Sequence, residues 1–231
     1  MTYALRMQWV DLAFLHWPVR VEDVRSLVPP ALELDLFDDS AWVAVTPFRM
    51  TRVRPLLAPP IPTATDFPEL NVRTYVRHGG RPGVWFFSLD AASWLAVMAA
   101  RTTTGLPYFH ARMLERREGD VVHYASRRMH GGAAPAEFRA RYRPSGPAYQ
   151  SPAGSLDHWL TERYSLFSLS GSQVLRLDIE HKPWPLQHAS VDIDQNTMAV
   201  AAGITLPSDP PHVRFARQLD VVAHWPTRMP S

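Results

Sequence analysis

The 231-residue chain has no cysteine and a single lysine, Lys182. Without thiols there is no disulfide framework, no thiolate nucleophile and no cysteine-held metal. With one lysine, imine chemistry on a carbonyl substrate has one candidate nitrogen, between His181 and Pro183 in a proline-rich bend. Desolvation there would lower its pKa and favour attack; the ordinary reading is an exposed side chain. Charges of both signs nearly balance, 24 basic against 22 acidic residues, and no Lys/Arg run or basic stripe exists, so no nucleic-acid partner is expected. The apolar segment Leu12 to Val19 is too short to span a bilayer and contains Pro18, which argues against a membrane partner. The start of the chain lacks a secretory pattern. A soluble, cytoplasmic protein is the expectation, with a homo-oligomer left open.

Other absences narrow the chemistry. The ten histidines show no paired helical spacing for a metal, no Gly-x-Ser-x-Gly elbow is present, and the glycine pairs at 79–80 and 131–132 read as turns and not as a phosphate cradle. No metal and no cofactor is therefore expected. What is abundant is aromatic side chain and proline: 8 Trp, 10 Phe, 7 Tyr and 22 Pro. Large rings favour strands and bury much area, while prolines punctuate loops and edges. Arginine supplies 23 of the 24 cations, either as a coding bias or because its fork recognises anions.

Short apolar runs separated by turn residues predict a predominantly antiparallel, β-rich α+β domain over 1–231, with a closed or partly closed barrel hiding its strand edges. Helices are predicted at Val21 to Leu27 and Ala91 to Thr104, the latter stopped at Gly105, and a helical turn after Ser155. Strands are predicted at 41–54, with Pro47 marking a break or edge, and at 70–78, 84–89, 110–117, 121–127, 138–143, 166–169, 174–180, 189–193 and 213–223. Pro55 to Pro68 and Pro144 to Gly154 read as loops, the first a possible pocket cover. Period two places Glu69, Asn71, Arg73 and Tyr75 on one face of a strand. The pattern favours solvent for that face. If it faced a cavity, an acid, an amide, a guanidinium and a phenol would stand in a row, suited to a carboxylate or carbonyl ligand.

Several segments resemble the YqjF-like bacterial family, a domain of unknown function: Phe14-Leu15-His16-Trp17-Pro18-Val19, Phe67 to Val76, Gly83 to Ala91, Leu106 to Phe109, Thr161-Glu162-Arg163-Tyr164 and His181 to Gln187. More distantly the chain resembles the acetoacetate decarboxylase superfamily. Val24 to Asp35 is similar to its early helix, proline turn and strand, and Ala100 to Phe109 to its central signature. That resemblance implies a cone-like β-barrel around a small cavity. It also implies two lysines where this chain has Tyr108 and Phe109, and a glutamate where it has Thr102; Arg101 is retained. Tyrosine forms no imine and phenylalanine carries no charge, so the barrel is expected without the imine mechanism.

Two functions follow as expectations. One is an enzyme of lyase, dehydratase or tautomerase type acting non-covalently on a small oxo acid or carbonyl compound, with Tyr108 as proton donor and Glu69 as base. The other is a non-catalytic module that binds or senses a small organic ligand, an anion among the options. In either, Arg101 and Arg73 would hold the anion, with Asn71, Tyr75, His16 and Trp184 as further ligand-binding candidates.

Overall fold

The structure, a computed structural model, describes residues 3–56 and 64–229. Strand β1 (Tyr3–Val19) is followed by α1 (Val21–Arg25), the short β2 (Glu33–Leu34), β3 (Ala41–Pro55), β4 (Phe67–His78) and β5 (Arg81–Ala91). Helix α2 (Trp94–Thr104) leads into β6 (Tyr108–Glu118), β7 (Val121–Arg128) and β8 (Glu137–Tyr149). After α3 (Leu156–Thr161) come β9 (Ser165–Ser170), β10 (Gln173–Glu180), β11 (Leu186–Asn196), β12 (His212–His224) and β13 (Thr227–Arg228). Each longer helix has its signals in the sequence. Ser93 caps α2 by accepting from the Ala96 N–H, Ser155 caps α3, and Gly105 ends α2 in the left-handed region at φ 68°.

All thirteen strands belong to one mostly antiparallel sheet, and the pairing of β4 with β5 closes it into a ring. A second path crosses that ring: β9 pairs in parallel with β5, β9 with β10, and β10 with β12. The result is two compartments sharing the wall β1–β3–β4. On one side of the wall, Ala13, Leu15, Val43, Val45, Leu70 and Val72 pack against Tyr124, Phe138, Tyr142 and Phe215 in a solid apolar core. On the other, the ring β5–β9–β10–β12–β1–β3–β4 encloses a cavity, and each of its strands contributes a lining residue.

Which side chains line the cavity is set by two bulges. From Leu5 to Asp11 the residues of β1 facing the cavity are odd-numbered (Leu5, Met7, Trp9); after Asp11 they are even-numbered (Leu12, Phe14). On β3 the change runs from Thr46, Phe48 and Met50 to Val53 and Pro55, across Arg52. Asp11 and Arg52 both adopt positive φ, 49° and 53°, and the β1–β3 register shifts there. An extra residue in one strand reverses the alternation beyond it. The buried hydroxyl of Tyr142 donates to the carbonyl of Asp11 (2.9 Å), which satisfies a group at the interruption.

The structure corrects several expectations. The first strand runs through Leu12 to Val19, a stretch recognised in the sequence only as apolar. Pro47 lies in an interior strand, paired with Leu70, where the β1–β3 ladder is interrupted between Val10 and Leu15, so its missing N–H costs no rung on that side. β8 extends to Tyr149 and takes in much of the expected 144–154 loop. Of the expected 55–68 loop, Pro55 ends β3, Phe67 and Pro68 open β4, and residues 57–63 lie outside the described residues. α1 stops at Arg25 and α2 starts at Trp94, because Ala91 is still held in β5 opposite Glu69.

Candidate active site

The cavity has a volume of about 360 Å³, and its walls are largely apolar. Trp9 stacks on Trp184 with ring centroids 5.7 Å apart, and Phe14 meets Trp184 edge-on at 4.9 Å. Leu95, Ala96, Ala99, Ala100, Thr103 and Thr104 line it from one face of α2; the small side chains among them leave it room. Into this apolar space β4 projects Glu69, Asn71 and Arg73. The expectation that this face meets solvent is overturned. β4 is paired on both sides and buried on both faces, so period two separates a cavity from a core and not water from a core.

Glu69 is 2% exposed, and its Oε2 has no hydrogen-bond partner among the described residues. Burial pushes its carboxyl up to about 8, and the charge of Asp90 adds to the rise. Hydrogen bonding from Asn71 and Tyr108 acts against it without cancelling it. The phenol of Tyr108 lies 3.5 Å from Glu69 Oε1, at the outer limit of hydrogen bonding. Burial, then the neighbouring Glu69 charge, lift Tyr108 well above its ordinary value. At neutral pH both groups hold their protons. Glu69, expected as a base, is thus an acid at rest.

The far part of the cavity is cationic. Arg73 lies with its guanidinium carbon 5.7 Å from the Phe14 ring centroid and 5.8 Å from that of Tyr75, and its buried Nε has no partner among the described residues. Arg163, also lining the cavity, is bound to Asp35 at 2.5 Å, a carboxylate shared with Arg77 at 2.8 Å. Asp35 is therefore engaged, and among the described residues no carboxylate pairs with Arg73. The arrangement leaves one cationic fork available to an anion.

The other candidates are placed differently. Tyr75 is fully buried behind Arg73 and hydrogen bonds through its hydroxyl to Nε2 of the fully buried His16 (2.7 Å); neither lines the cavity. Burial, then the charge of Arg73, hold His16 well below 6.5, so this pair is a neutral brace. Arg101 is exposed on α2 and donates to the backbone carbonyl of Tyr108 (2.6 Å), so it positions the start of β6 and is absent from the cavity wall. Phe109 lies under the guanidinium of Arg128 at 4.1 Å. Lys182 is exposed and does not line the cavity. Among the lining residues with no role assigned from the sequence are Trp9, Arg163 and His181. The last two lie in segments that resemble the YqjF-like family, which was the available signal. Among the described residues no group of three or more His, Asp or Glu stands together to hold a metal ion.

Comparison with known proteins matches residues 6–220 to the family model DUF2071, described as "Uncharacterized conserved protein (COG2071)". The chain is 45% identical over 226 residues to the uncharacterized protein YqjF of Bacillus subtilis (strain 168), covering 98% of this chain and 92% of that protein. The chain belongs to the DUF2071 family. Among solved structures it is similar to the acetoacetate decarboxylase of Legionella pneumophila (TM-score 0.65, 16% identity, 100% of this chain and 90% of that one). It is also similar to the enduracididine biosynthesis enzyme MppR complexed with pyruvate (TM-score 0.66, 11% identity, 99% and 91%). At these identities the likeness is one of fold: family membership and an acetoacetate decarboxylase-like architecture stand together.

Proposed function

We propose that the cavity binds a small organic acid carrying a carbonyl group and promotes proton transfer at the carbon beside that carbonyl, without an imine. The reaction is of the lyase, dehydratase or tautomerase kind. One observation supports this above the rest. The buried Glu69 carboxyl and Tyr108 phenol, 3.5 Å apart and both pushed toward their protonated forms by burial, line an apolar cavity that also holds Arg73, with which no carboxylate pairs among the described residues. Loss of a group or a proton next to a carbonyl drives negative charge onto its oxygen. Two O–H donors in a low-dielectric site stabilise that charge far better than water does. Arg73 would fix the carboxylate and so the distance of the carbonyl from the donors. A structural neighbour described with pyruvate bound is in keeping with a small oxo acid in a cavity of this architecture. The single lysine, Lys182, is not among the lining residues, which supports a reaction without an imine.

The test is a panel of oxo acids and matched acids lacking the carbonyl, followed by thermal shift and by NMR of the products. Both sets should stabilise the protein and only the oxo acids should be converted. Tyr108→Phe is expected to lower kcat on the order of a hundredfold, and Arg73→Leu to weaken both sets roughly tenfold or more. Stabilisation without any conversion would support the second reading, a binding or sensing module, which the aromatic wall of Trp9, Trp184 and Phe14 also suits. An unchanged rate in Tyr108→Phe would remove the phenol's role.

A further inference from the structure

Proton donors alone do not complete such a site; a carbon acid also needs an acceptor. Two histidines line the cavity: His224 gives its Nε2 to the exposed Glu180 carboxylate (2.8 Å), whereas His181 meets the rings of Trp9 and Trp184 and is the one set among the aromatic wall. His181 Nδ1 lies 2.8 Å from the backbone carbonyl of Lys182. A carbonyl only accepts, so Nδ1 bears the hydrogen and, in the neutral ring, Nε2 bears the lone pair. Nε2 is buried, has no partner among the described residues, and belongs to a residue lining the cavity. The ring is held on two sides: it stacks on Tyr164 at 4.6 Å and meets Trp184 edge-on at 5.1 Å. Tyr164 is itself anchored by its hydroxyl to Glu162, whose other oxygen accepts from the backbone N–H of Trp184 at 2.9 Å. This is an oriented imidazole, not a loose surface one.

We infer that His181 is the catalytic base of the cavity, taking through Nε2 the proton from the carbon next to the substrate carbonyl. The inference rests on the proton-transfer reading above and adds the group that reading lacks. In the step, the C–H bond breaks and its proton forms the Nε2–H bond. The C–H electron pair becomes the C=C of an enolate, and the carbonyl oxygen takes the hydrogen bonds of Glu69 and Tyr108. The reverse returns a proton from Nε2 to carbon, so no oxidant or co-reactant is consumed. Burial, the largest influence on this ring, and the charge of Arg73 both favour the neutral form, against the Lys182 carbonyl and Glu162, which favour the charged one. The net shift is downward, so the base form prevails at neutral pH. The influence of Arg73 also places the anion-binding fork within electrostatic reach of the imidazole.

The experiment is proton exchange. Phenylpyruvate, whose ring suits the Trp9–Trp184–Phe14 wall, is incubated with the intact protein in heavy water, and loss of the benzylic proton signal is followed by NMR. 3-Phenylpropionate, which has no carbonyl, is the binding control, read by tryptophan fluorescence. The wild-type protein should accelerate exchange. His181→Phe keeps a ring to stack on Tyr164 and should lower that acceleration by about a hundredfold or more, with 3-phenylpropionate affinity unchanged within about twofold. His181→Gln, which keeps an acceptor but not a base, should lose exchange equally. Exchange by the wild type that survives in both variants overturns the role of His181 and leaves the proposed reaction standing. Binding of both acids with no accelerated exchange in the wild type overturns the proton-transfer reading and this inference with it, as does failure of either acid to bind.

Discussion

Replacing Glu69 by glutamine should stabilise the folded chain in alkaline solution by about 5 kcal/mol relative to its effect in mild acid. Folded Glu69 keeps its proton up to about pH 8, against an ordinary value of 4.5. Between those two pH values the folded chain binds one more proton than the unfolded chain. Stability contributed by this group is therefore complete below pH 4.5, falls as pH rises, and is gone above pH 8, at about 1.4 kcal/mol per pH unit. Glutamine does not titrate and removes the whole dependence. Asp90 and Glu115 are raised as well, in both cases through burial first, but they are common to the two proteins and cancel in the difference. Urea denaturation of wild type and Glu69→Gln across pH 4 to 9 reads the result directly. The two stability curves should coincide near pH 4 and separate steadily toward pH 8. Parallel curves would mean that Glu69 ionises normally, and the proton-donor role would fall with them. The same substitution should abolish turnover, so loss of activity and gain of alkaline stability would come from one buried carboxyl. A site kept at the expense of the fold is expected where function demands it.

Much of the architecture was legible because antiparallel strands leave local marks. The 70–78 alternation, the turn of Gly79 and Gly80 and the Gly105 stop are all written within a few residues of where they act. The segment Leu12 to Val19 was not legible as strand, because a wall between two compartments is apolar on both faces and shows no period. The bulges at Asp11 and Arg52 were not legible either: neither residue advertises positive φ as glycine would. The site divides along the same line. Glu69, Asn71 and Arg73 share a strand face, which pattern shows, but whether that face meets water depends on β1, β9 and β10 far away in sequence. His181 and Arg163 were invisible as chemistry because their partners, the Lys182 carbonyl and Asp35, mean something only once the chain is folded. Arg101 misled in the other direction. The resemblance places it in the signature, yet on this chain its fork goes to a backbone carbonyl.

The strongest loss of stability should come from Arg128→Leu, at roughly 3–5 kcal/mol. Arg128 grips Asp90 through two hydrogen bonds of 2.7 Å, and the side chains are 4% and 0% exposed. Burial nevertheless holds Asp90 above its ordinary value of 3.8, so the pair offsets the desolvation of that carboxylate only in part. Without Arg128 the carboxyl rises further. A raised acid contributes its stability below the unfolded value and loses it as pH rises, so the cost of Arg128→Leu should grow from pH 4 toward pH 8. The doubly apolar variant, Asp90→Leu with Arg128→Leu, removes the stranded charge and should recover most of the loss, since a buried pair replaced by packed apolar groups is often neutral. A double-mutant cycle in urea at two pH values checks both claims; equal costs at pH 4 and 8 would refute the charge argument. The pair also bears on the site. Asp90 sits on β5 opposite Leu70, one position from Glu69, and its charge is among the causes that keep Glu69 protonated. In the doubly apolar variant that charge is gone, so the pH at which Glu69 loses its proton should fall, and the pH profile of turnover should move to lower pH with the fold intact.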